Sequence, residues 1–327
     1  MALKIACGLA PGPNTVEHAM LAEELGYERV WLYDSPALWQ DIWVRMGQVA
    51  EHTSRIQLGT AVLIPSLRHP VAQAAAIATI EDIAPGRLSV GLATGFTGRN
   101  ALGQPKLTWA YTKRYVEQVK ALLAGEAVEV EGAMTKLIPS PGFFPPRPIE
   151  VPILLGANGP KGCSIAREIA DGIICGGGQV PEPGFKTCAA LNFGTVLDEG
   201  EDVTSPRVKD AAGAAMAVRY HSMYENDPDS VRSLPNGGAW RESVEQVPAE
   251  IRHLEVHQGH CVDLSNHHDS QHLDMTKIKE MSFTGTPDEL RARMDAMEAA
   301  GATEIMYGSM GSDPARELRK FAEVAGL

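Results

Sequence analysis

The sequence predicts an α/β protein of the (β/α)8 TIM-barrel class, as one domain of residues 1–327 with an insertion at about 221–283. Short apolar segments alternate with amphipathic ones, and most of the apolar segments end in glycine or another small residue. Eight such strand–helix units can be counted, which is the number that a closed parallel barrel requires. A doubly wound sheet is the alternative, and the lack of a GxGxxG motif after the first strand disfavours it.

The predicted strands are short and mostly apolar: residues 4–10, 29–34, 56–63, 87–95, 151–157, 172–177, 213–220 and 304–310. Apolar periodicity and capping signals predict helices between them: residues 14–26, 37–53, 69–86, 112–125, 159–170, 286–301 and 313–326. Thr286, Pro287 and Glu289 form a capping-box pattern at the start of one of these helices.

Three segments depart from this alternation. Residues 128–137 alternate in polarity around Glu131–Gly132, which is typical of a hairpin. Residues 139–152 contain too much proline for a helix or a central strand, so they are predicted to be a surface connection. Residues 221–283 are polar, histidine-rich and irregular. We therefore expect them to form an insertion between the seventh and eighth strands.

Composition and charge exclude several classes of protein. The net charge of −12 disfavours non-specific binding to nucleic acid or to an anionic membrane. No apolar run approaches the roughly 18 residues that a membrane span needs, and the N-terminus lacks a signal-peptide core. The five cysteines are scattered and odd in number, which indicates reduced thiols and not a disulfide framework. These features predict a cytoplasmic enzyme that acts on a small-molecule substrate, with no nucleic-acid or membrane partner.

The predicted strand ends carry few titratable side chains. Active sites of such barrels lie at the C-terminal ends of the strands, and here Asp34 is the main ionisable residue in those positions. Hydrolysis by acid–base chemistry usually needs paired carboxylates or histidines there. Small residues and backbone amides instead suit a large planar cofactor that carries the chemistry itself. The alternative is that small residues only relieve crowding at the rim.

Two glycine-rich loops follow later strands. Residues 156–159 precede a helix that starts near Pro160, and backbone amides at such a helix start bind phosphate. Lys161 either adds a charge-assisted contact or is a solvated surface lysine. The next predicted strand ends in CGGGQ, residues 175–179. Barrel enzymes bind phosphate at loops after later strands, so the two loops together predict a phosphate site.

Two long motifs carry a family resemblance: RIQLGTAVLIPSLRHPVAQAAAIATIEDIAPGRLSVGLATG at 55–95 and GANGPKGCSIAREIADGII at 156–174. With them the chain resembles the luciferase-like monooxygenase superfamily, and within it the methylene-tetrahydromethanopterin reductase-like branch. The resemblance covers most of the chain and is strongest over residues 4–178. It implies a (β/α)8 barrel with insertions, a homodimer, and a tricyclic cofactor at the barrel mouth, either FMN or the deazaflavin coenzyme F420.

The resemblance also implies which residues bind this cofactor. Residues at the family's ring-binding positions are Asp34, Ser35, Ala61, Val62, Thr94 and Gly95. Residues at its phosphate-binding positions are Ala157, Asn158, Gly159, Pro160, Lys161, Cys175, Gly176 and Gly177. Ala61–Val62 also matches a family bulge, often with a non-prolyl cis peptide, that lies behind the central carbon of the ring.

Two positions depart from the family pattern. Sugar-phosphate dehydrogenases of the family carry histidine directly after the aspartate of the second strand and an acidic residue directly after Thr–Gly of the fourth. Here those positions hold Ser35 and Phe96, which disfavours a sugar-phosphate substrate. Phe96 and Trp39 suggest an apolar substrate pocket, although Trp39 could equally pack in a helix core. Ser35 either donates a hydrogen bond at the site or caps the following helix.

The motifs favour coenzyme F420, which transfers hydride at its central ring carbon. We therefore expect an oxidoreductase that moves hydride between coenzyme F420 and a small apolar carbonyl, alkene or alcohol. An FMN-dependent monooxygenase is one alternative. A non-catalytic flavin-binding protein is another, because the family's acid–base pair is missing.

Six of the ten histidines lie close together in the insertion: His253, His257, His260, His267, His268 and His272. Structural or surface roles are the ordinary interpretation. The alternative is a proton donor that reaches the cofactor, with His260 or His257 as the best candidates and Ser35 assisting. Zinc sites need three or four ligands in a defined motif, and HExxH is absent, so we expect no metal site.

Overall fold

Eight parallel strands close into a barrel in the computed structural model, which describes residues 3–181 and 183–327. The described residues form ten strands, eight in the barrel and two outside it: β1 (Lys4–Leu9), β2 (Arg29–Leu32), β3 (Gln57–Leu63), β4 (Leu88–Leu92), β5 (Val128–Val130), β6 (Ala133–Thr135), β7 (Ile153–Gly156), β8 (Gly172–Gly176), β9 (Cys188–Phe193) and β10 (Glu304–Gly308). Around the barrel the order is β1-β10-β9-β8-β7-β4-β3-β2, and β5 pairs with β6 outside it. The predicted TIM barrel is confirmed.

Helices cover the outside of the barrel and fill the longer connections. They are α1 (Thr15–Leu25), α2 (Ile42–His52), α3 (Pro70–Ile83), α4 (Thr97–Asn100), α5 (Trp109–Ala124), α6 (Pro160–Ile169), α7 (Pro206–Asn226), α8 (Gly237–Glu245), α9 (Arg252–Val256), α10 (His267–His272), α11 (Ile278–Met281), α12 (Pro287–Ala299) and α13 (Pro314–Ala325). Single 3-10 turns lie at Pro65–Leu67, Ser230–Ser233 and Met275–Lys277.

The seventh strand was predicted in the wrong place. Residues 213–220 lie inside helix α7, whose N-cap Ser205 accepts a hydrogen bond from the N–H of Val208. The seventh barrel strand is β9, which pairs with β8 and β10. A short run of small apolar residues fits a buried helix or a buried strand equally well by periodicity. The capping signal at Ser205–Pro206 distinguishes the two, and it was overlooked.

Other local predictions agree with the structure. The hairpin turns at Glu131 and Gly132, whose φ angles of 52° and 83° are those of a two-residue hairpin turn. The capping box at α12 is formed: the Thr286 N–H donates to Glu289 at 2.9 Å, and the Glu289 N–H donates to the Thr286 hydroxyl at 3.4 Å. These features depend on residues close in sequence, so the sequence predicts them well.

The barrel interior is filled by large side chains that glycines accommodate. Trp31 is fully buried, and a Cβ built on Gly59 would lie 2.2 Å from its ring. A Cβ on Gly91 would lie 2.3 Å from the carbonyl oxygen of Thr60 on the neighbouring strand. Glycine at these two strand positions therefore permits a close approach that no side chain allows.

Residues 194–286 connect β9 to α12, and we call them the β9–α12 segment. They carry α7 to α11, and α7 begins before the predicted insertion boundary at about 221. Trp240, Tyr220 and Val231 form a small apolar core of their own within this segment. In the part of the chain that the structure describes, no helix is both long and apolar enough to span a bilayer.

Candidate functional site

A cavity of about 650 Å³ opens at the C-terminal ends of the barrel strands. This volume lies within the range of roughly 300–1,000 Å³ that is typical of small-molecule and cofactor sites. The residues that end β2, β3, β4, β8 and β9 form one side of it. The other side consists of α7, residues 260–261 and residues 280–283, all from the β9–α12 segment. The barrel and this segment therefore enclose one site between them.

The structure brings many, but not all, of the predicted site residues to this cavity. Those that line it are Asp34, Ser35, Trp39, Ala61, Val62, Gly95, Phe96, Asn158, Gly176, Gly177 and His260. Those that do not line it are Thr94, Ala157, Gly159, Pro160, Lys161, Cys175 and His257.

An arginine that the sequence analysis did not single out holds Asp34. Arg68 donates to the Asp34 carboxylate at 2.6 Å and to Asp41 at 2.9 Å. The Asp34 side chain is almost fully buried. Burial raises the pKa of its carboxyl, and the adjacent Arg68 guanidinium opposes that rise. The carboxylate is therefore occupied by an ion pair at the rim of the site, and Arg68 lies within the first resemblance motif, where it could have been noticed.

The helix predicted over 37–53 begins later than expected. Asp41 is the N-cap of α2, because its carboxylate accepts a hydrogen bond from the N–H of Trp43 at 2.9 Å. Trp39 consequently lies on the turn before the helix. Its ring centroid is 5.5 Å from that of Tyr33, and it lines the cavity. Trp39 is therefore a wall residue of the site and does not pack in a helix core.

The Ser35 hydroxyl faces the cavity and does not cap a helix. The carbonyl of Ser35 accepts hydrogen bonds from the N–H groups of Leu38 and Trp39, at 2.8 and 3.0 Å. Within residues 3–181 and 183–327, its hydroxyl has no hydrogen-bond partner. This geometry excludes the helix-capping role, and donation into the site stays a prediction.

Strand β3 is irregular where it reaches the cavity. Its register against β4 shifts between Thr60 and Leu63, and the peptide bond between Ala61 and Val62 is cis. Both Ala61 and Val62 line the cavity. The bulge and cis peptide implied by the resemblance are present in this chain.

The two glycine-rich loops are joined by one side chain. Asn158 donates to the Gly176 carbonyl at 3.2 Å and accepts from the Gly176 N–H at 3.0 Å. The N-cap of α6 is Gly159, which offers no side-chain cap, so the first amides of this helix lack intrahelical partners. A Cβ built on Gly159, Gly176 or Gly177 meets no atom within 4 Å. The loops therefore present backbone amides next to open space.

Two further residues predicted for these loops, Cys175 and Lys161, are directed at the barrel or at solvent. The Cys175 thiol is buried, 3.6 Å from the Ala189 carbonyl oxygen and 3.9 Å from the Cys188 sulfur. Its side chain is therefore directed at strand β9. Lys161 is exposed in the first turn of α6.

The two candidate histidines are neighbours, but only His260 reaches the cavity. His260 Nε2 lies 2.9 Å from the Thr97 hydroxyl, and its Nδ1 lies 2.8 Å from His221 Nδ1. His257 Nε2 lies 3.2 Å from the Glu225 carboxylate. Burial lowers the pKa of both His257 and His260, so both imidazoles are neutral at pH 7.

The sequence analysis did not identify several residues of the site, including two on α7, a helix that it divided between a strand and the insertion. His221 and Arg219 lie on α7, and Arg219 lines the cavity. Arg219 is exposed and has no ion pair with any residue that the structure describes. Thr97 and Tyr33 also line the cavity; Thr97 directly follows Phe96, so adjacency to a predicted residue was the available signal.

Known proteins share this architecture. A family model for luciferase-like monooxygenases matches residues 8–304. The chain belongs to the luciferase-like monooxygenase family. Its membership agrees with the two motifs singled out in the sequence and with the closed barrel.

Relatives in the luciferase-like family match nearly the whole chain. The F420-dependent glucose-6-phosphate dehydrogenase of Beutenbergia cavernae is 27% identical, over 95% of this chain and 91% of the relative. The 5,10-methylenetetrahydromethanopterin reductase of Methanolobus tindarius is 28% identical, over 91% of each chain. A solved F420-dependent secondary alcohol dehydrogenase, in complex with an F420–acetone adduct, is 17% identical with a TM-score of 0.68, over 99% of this chain and 98% of the other.

In this luciferase-like barrel, the two departures from the family pattern both face the cavity. Ser35 and Phe96 line it. The ring of Phe96 lies 6.4 Å from that of His257 and 6.2 Å from that of His260, in edge-to-face contact with each. An aromatic side chain therefore lies where the family resemblance implies an acid in sugar-phosphate dehydrogenases.

Proposed function

We propose that this chain is an oxidoreductase that transfers hydride between coenzyme F420 and a small apolar carbonyl, alkene or alcohol. The observation that carries the proposal is the cavity at the barrel mouth, which combines small residues at the strand ends with an aromatic wall. The relatives named for coenzyme F420 align over more than nine-tenths of the chain, which supports this cofactor over FMN.

The glycine-rich loops fit the phosphate of such a cofactor. The first amides of α6 and the backbone of Gly177 border open space, so an anion can approach the chain closely there, whereas the Gly176 N–H is already bonded to Asn158. Helix N-termini and successive backbone amides both favour a negative charge. Asn158 holds the two loops together. We therefore assign the phosphate to this pair of loops, with Lys161 at its solvent side.

The acidic tail of coenzyme F420 requires positive charge at the cavity mouth. Arg219 lines the cavity, is exposed and lacks an acidic partner among the described residues. Among the basic residues of α4 and α5, Lys113 is bonded to Glu168 and Arg99 to the Pro105 carbonyl. Arg219 is thus the cation best placed for the tail.

When bound, the cofactor supplies or accepts the hydride at its central ring carbon. The protein's part is to orient the substrate and to exclude water. Ser35 and Thr97 both line the cavity. The Ser35 hydroxyl can donate a hydrogen bond to a substrate oxygen, and the Thr97 hydroxyl can do so when His260 Nε2 carries the proton of the hydrogen bond that these two groups share. His260 holds the Thr97 hydroxyl at 2.9 Å, so it acts on the substrate through Thr97. Trp39 and Phe96 provide the apolar walls.

The same walls define the substrate class. A sugar phosphate needs several hydrogen-bond partners and a cation for its phosphate. The exposed cation of this cavity, Arg219, is assigned above to the cofactor tail, and Trp39, Phe96, Phe193 and Met281 give the cavity apolar surfaces that suit a short alkyl or cyclic substrate. Oxidation of a secondary alcohol, or the reverse reduction of a ketone, fits the two hydroxyl donors best. The homodimer and the cytoplasmic location remain predictions.

Binding of the two cofactors tests the proposal directly. We expect the protein to bind coenzyme F420 with submicromolar Kd, followed by quenching of cofactor fluorescence, and to bind FMN more weakly. We expect it to reduce coenzyme F420 with small secondary alcohols at the same rate in air and without oxygen. Preferential FMN binding with oxygen consumption would establish the monooxygenase alternative. Binding without turnover across the panel would establish a non-catalytic protein.

A substitution at Gly159 tests the phosphate site. Because a Cβ at Gly159 meets open space and its φ is −93°, Gly159→Asp and Gly159→Asn should both fold. The aspartate adds a negative charge close to the phosphate, which weakens binding by roughly 1–4 kcal/mol, so the Kd of Gly159→Asp for coenzyme F420 should rise by at least about fivefold. Gly159→Asn is the matched neutral control and should change Kd far less. Equal effects of the two variants would place the phosphate elsewhere.

A further inference from the structure

Three buried histidines converge behind the wall of the cavity. His221 lies on α7, His257 directly follows α9, and His260 lies three residues further on. They are 0%, 1% and 3% exposed. One ring nitrogen of each lies within 4.8 Å of one ring nitrogen of the other two. Such a trio of imidazoles is rare in a protein interior, because each buried ring nitrogen needs a partner.

The outer nitrogens of the three rings all have oxygen partners. Nε2 of His221 lies 2.9 Å from Asp269, Nε2 of His257 lies 3.2 Å from Glu225, and Nε2 of His260 lies 2.9 Å from Thr97. This leaves Nδ1 of each ring for the centre of the trio. An oxygen partner on the outer nitrogen is the arrangement that orients histidines bound to a metal.

The Nδ1 atoms of the three histidines cannot all form hydrogen bonds with one another. His221 Nδ1 and His260 Nδ1 lie 2.8 Å apart and can share one proton. His257 Nδ1 is buried and has no hydrogen-bond partner among the described residues. A chain of hydrogen bonds from Asp269 through His221 to His260 therefore leaves one imidazole nitrogen unexplained, whereas a shared cation would use all three.

The two carboxylates beside the trio have no lysine or arginine partner among the described residues. Asp269 is 1% exposed, and its partners are His221 and the indole N–H of Trp240 at 2.7 Å. Glu225 pairs with His257. In the part of the chain that the structure describes, neither carboxylate has an ion pair with lysine or arginine. A buried carboxylate without a cation is costly, and a divalent ion would balance both.

We propose that His221, His257 and His260 bind one divalent transition metal ion of the zinc class through their Nδ1 atoms. Three imidazoles suit Zn²⁺, with a water completing a tetrahedron. Ligand nitrogens of such a site lie about 3.3 Å apart, from Zn–N distances of about 2.0 Å, so the rings need only small shifts. This proposal goes beyond the proposed function, and it replaces the expectation from sequence alone that the chain has no metal site.

The position of the site indicates a structural role. His260 and Cys261 line the cavity, whereas His221 and His257 lie behind that wall. The metal would join α7 to residues 257–261 and so fix the side of the cavity that the β9–α12 segment provides. It is separated from the cavity by the His260 ring, so it does not act on the substrate.

A second group of potential ligands serves as an internal control. Glu255, His267 and His268 also bring ligand atoms within 4.8 Å of one another. Unlike the trio, however, this group has no buried ligand atom without a partner among the described residues, because the two nitrogens of His268 are bonded to Ser243 at 2.6 Å and to Glu255 at 3.4 Å. His267 is exposed. We assign no metal to this group.

Cobalt binding tests the proposal. The full chain, without a histidine tag, is stripped with a chelator and titrated with Co²⁺, whose visible absorption reports tetrahedral nitrogen coordination. We expect one Co²⁺ per chain, displaced by Zn²⁺, and a higher Tm with either ion. Wild-type protein that binds neither ion at micromolar concentration, or binds without a tetrahedral spectrum, would overturn the proposal whatever the variants do.

Three variants then locate the site. His257→Gln should lower Co²⁺ affinity by at least about 100-fold, because one of three ligands is lost, and His221→Gln should do the same. His267→Gln should keep the wild-type affinity and spectrum. Circular dichroism checks that each variant is folded. Loss of binding in His267→Gln, or its retention in folded His257→Gln, would contradict the assignment.

Discussion

The barrel rim and the β9–α12 segment build opposite sides of the same cavity by different means. The rim contributes small residues and backbone amides at the ends of strands, and residues that are adjacent in sequence make each piece of it. The segment contributes buried polar side chains that meet over long separations. His221 and Asp269 are 48 residues apart, and Thr97 and His260 are 163 apart.

This difference has an energetic consequence. A hydrogen bond between neighbours in sequence, such as a helix cap, contributes about 1 kcal/mol, because solvent still reaches its groups. A buried polar group that has lost its partner cannot bond to water instead. Removal of the partner therefore lowers the free energy of unfolding several times more than removal of a helix cap. We therefore expect substitutions in the polar network of the β9–α12 segment to lower the free energy of unfolding most. Steric changes in the barrel should lower it less, and changes at helix caps least.

The largest effect is expected for Asp269→Ala. The substitution leaves His221 Nε2 and Trp240 Nε1 buried without an acceptor, so the free energy of unfolding should fall by about 3–5 kcal/mol. Urea denaturation in the presence of a chelator measures it, because a bound metal would add its own contribution. The exposed Asp295 provides the control: Asp295→Ala should change stability by less than about 0.5 kcal/mol. Similar losses in the two variants would contradict the buried network.

A smaller effect is expected inside the barrel from Gly91→Ala. The new Cβ would lie 2.3 Å from the carbonyl oxygen of Thr60 and 2.6 Å from Ile174, so strands β3 and β4 must separate, at a cost of about 2–3 kcal/mol. Gly159→Ala at the rim meets open space, and because it replaces only the glycine N-cap of α6 it should lower the free energy of unfolding by less than about 1 kcal/mol. If Gly91→Ala were as stable as Gly159→Ala in urea, the close contact between Gly91 and the Thr60 carbonyl oxygen would be contradicted.

The smallest effect is expected at the capping box of α12. Thr286→Ala removes the acceptor of the Glu289 N–H and should lower stability by about 1 kcal/mol. Thr286→Ser keeps a hydroxyl and should restore most of that loss. Chemical denaturation resolves this difference. If Thr286→Ala lowered the free energy of unfolding more than Gly91→Ala does, the expected order would be wrong. The distinction between local and long-range contacts would then fail.

Predictions from the sequence succeeded where a few neighbouring residues decide the structure. The hairpin at Glu131–Gly132, the capping box at Thr286 and the glycine-rich loop before α6 each depend on residues within about four positions of one another. The bulge at Ala61–Val62 was expected from the family resemblance, which supplies long-range information that the chain's own periodicity lacks.

The errors have a common physical cause. The run at 213–220 is small and apolar, and such a run can be buried as a helix or as a strand, so packing against β8 and β10 determined which segment joined the barrel. Arg68 was not linked to Asp34 because no sequence pattern states that two residues 34 positions apart form an ion pair.

The amino-acid sequence by itself determined the alternation of strands and helices, the turns and caps, and the amide-lined loops, because these follow from short-range sterics and hydrogen bonding. Only the tertiary structure decided which imidazole reaches the cavity and which three converge behind it. Those positions depend on how α7 and residues 252–272 pack together, and packing is a property of the whole chain.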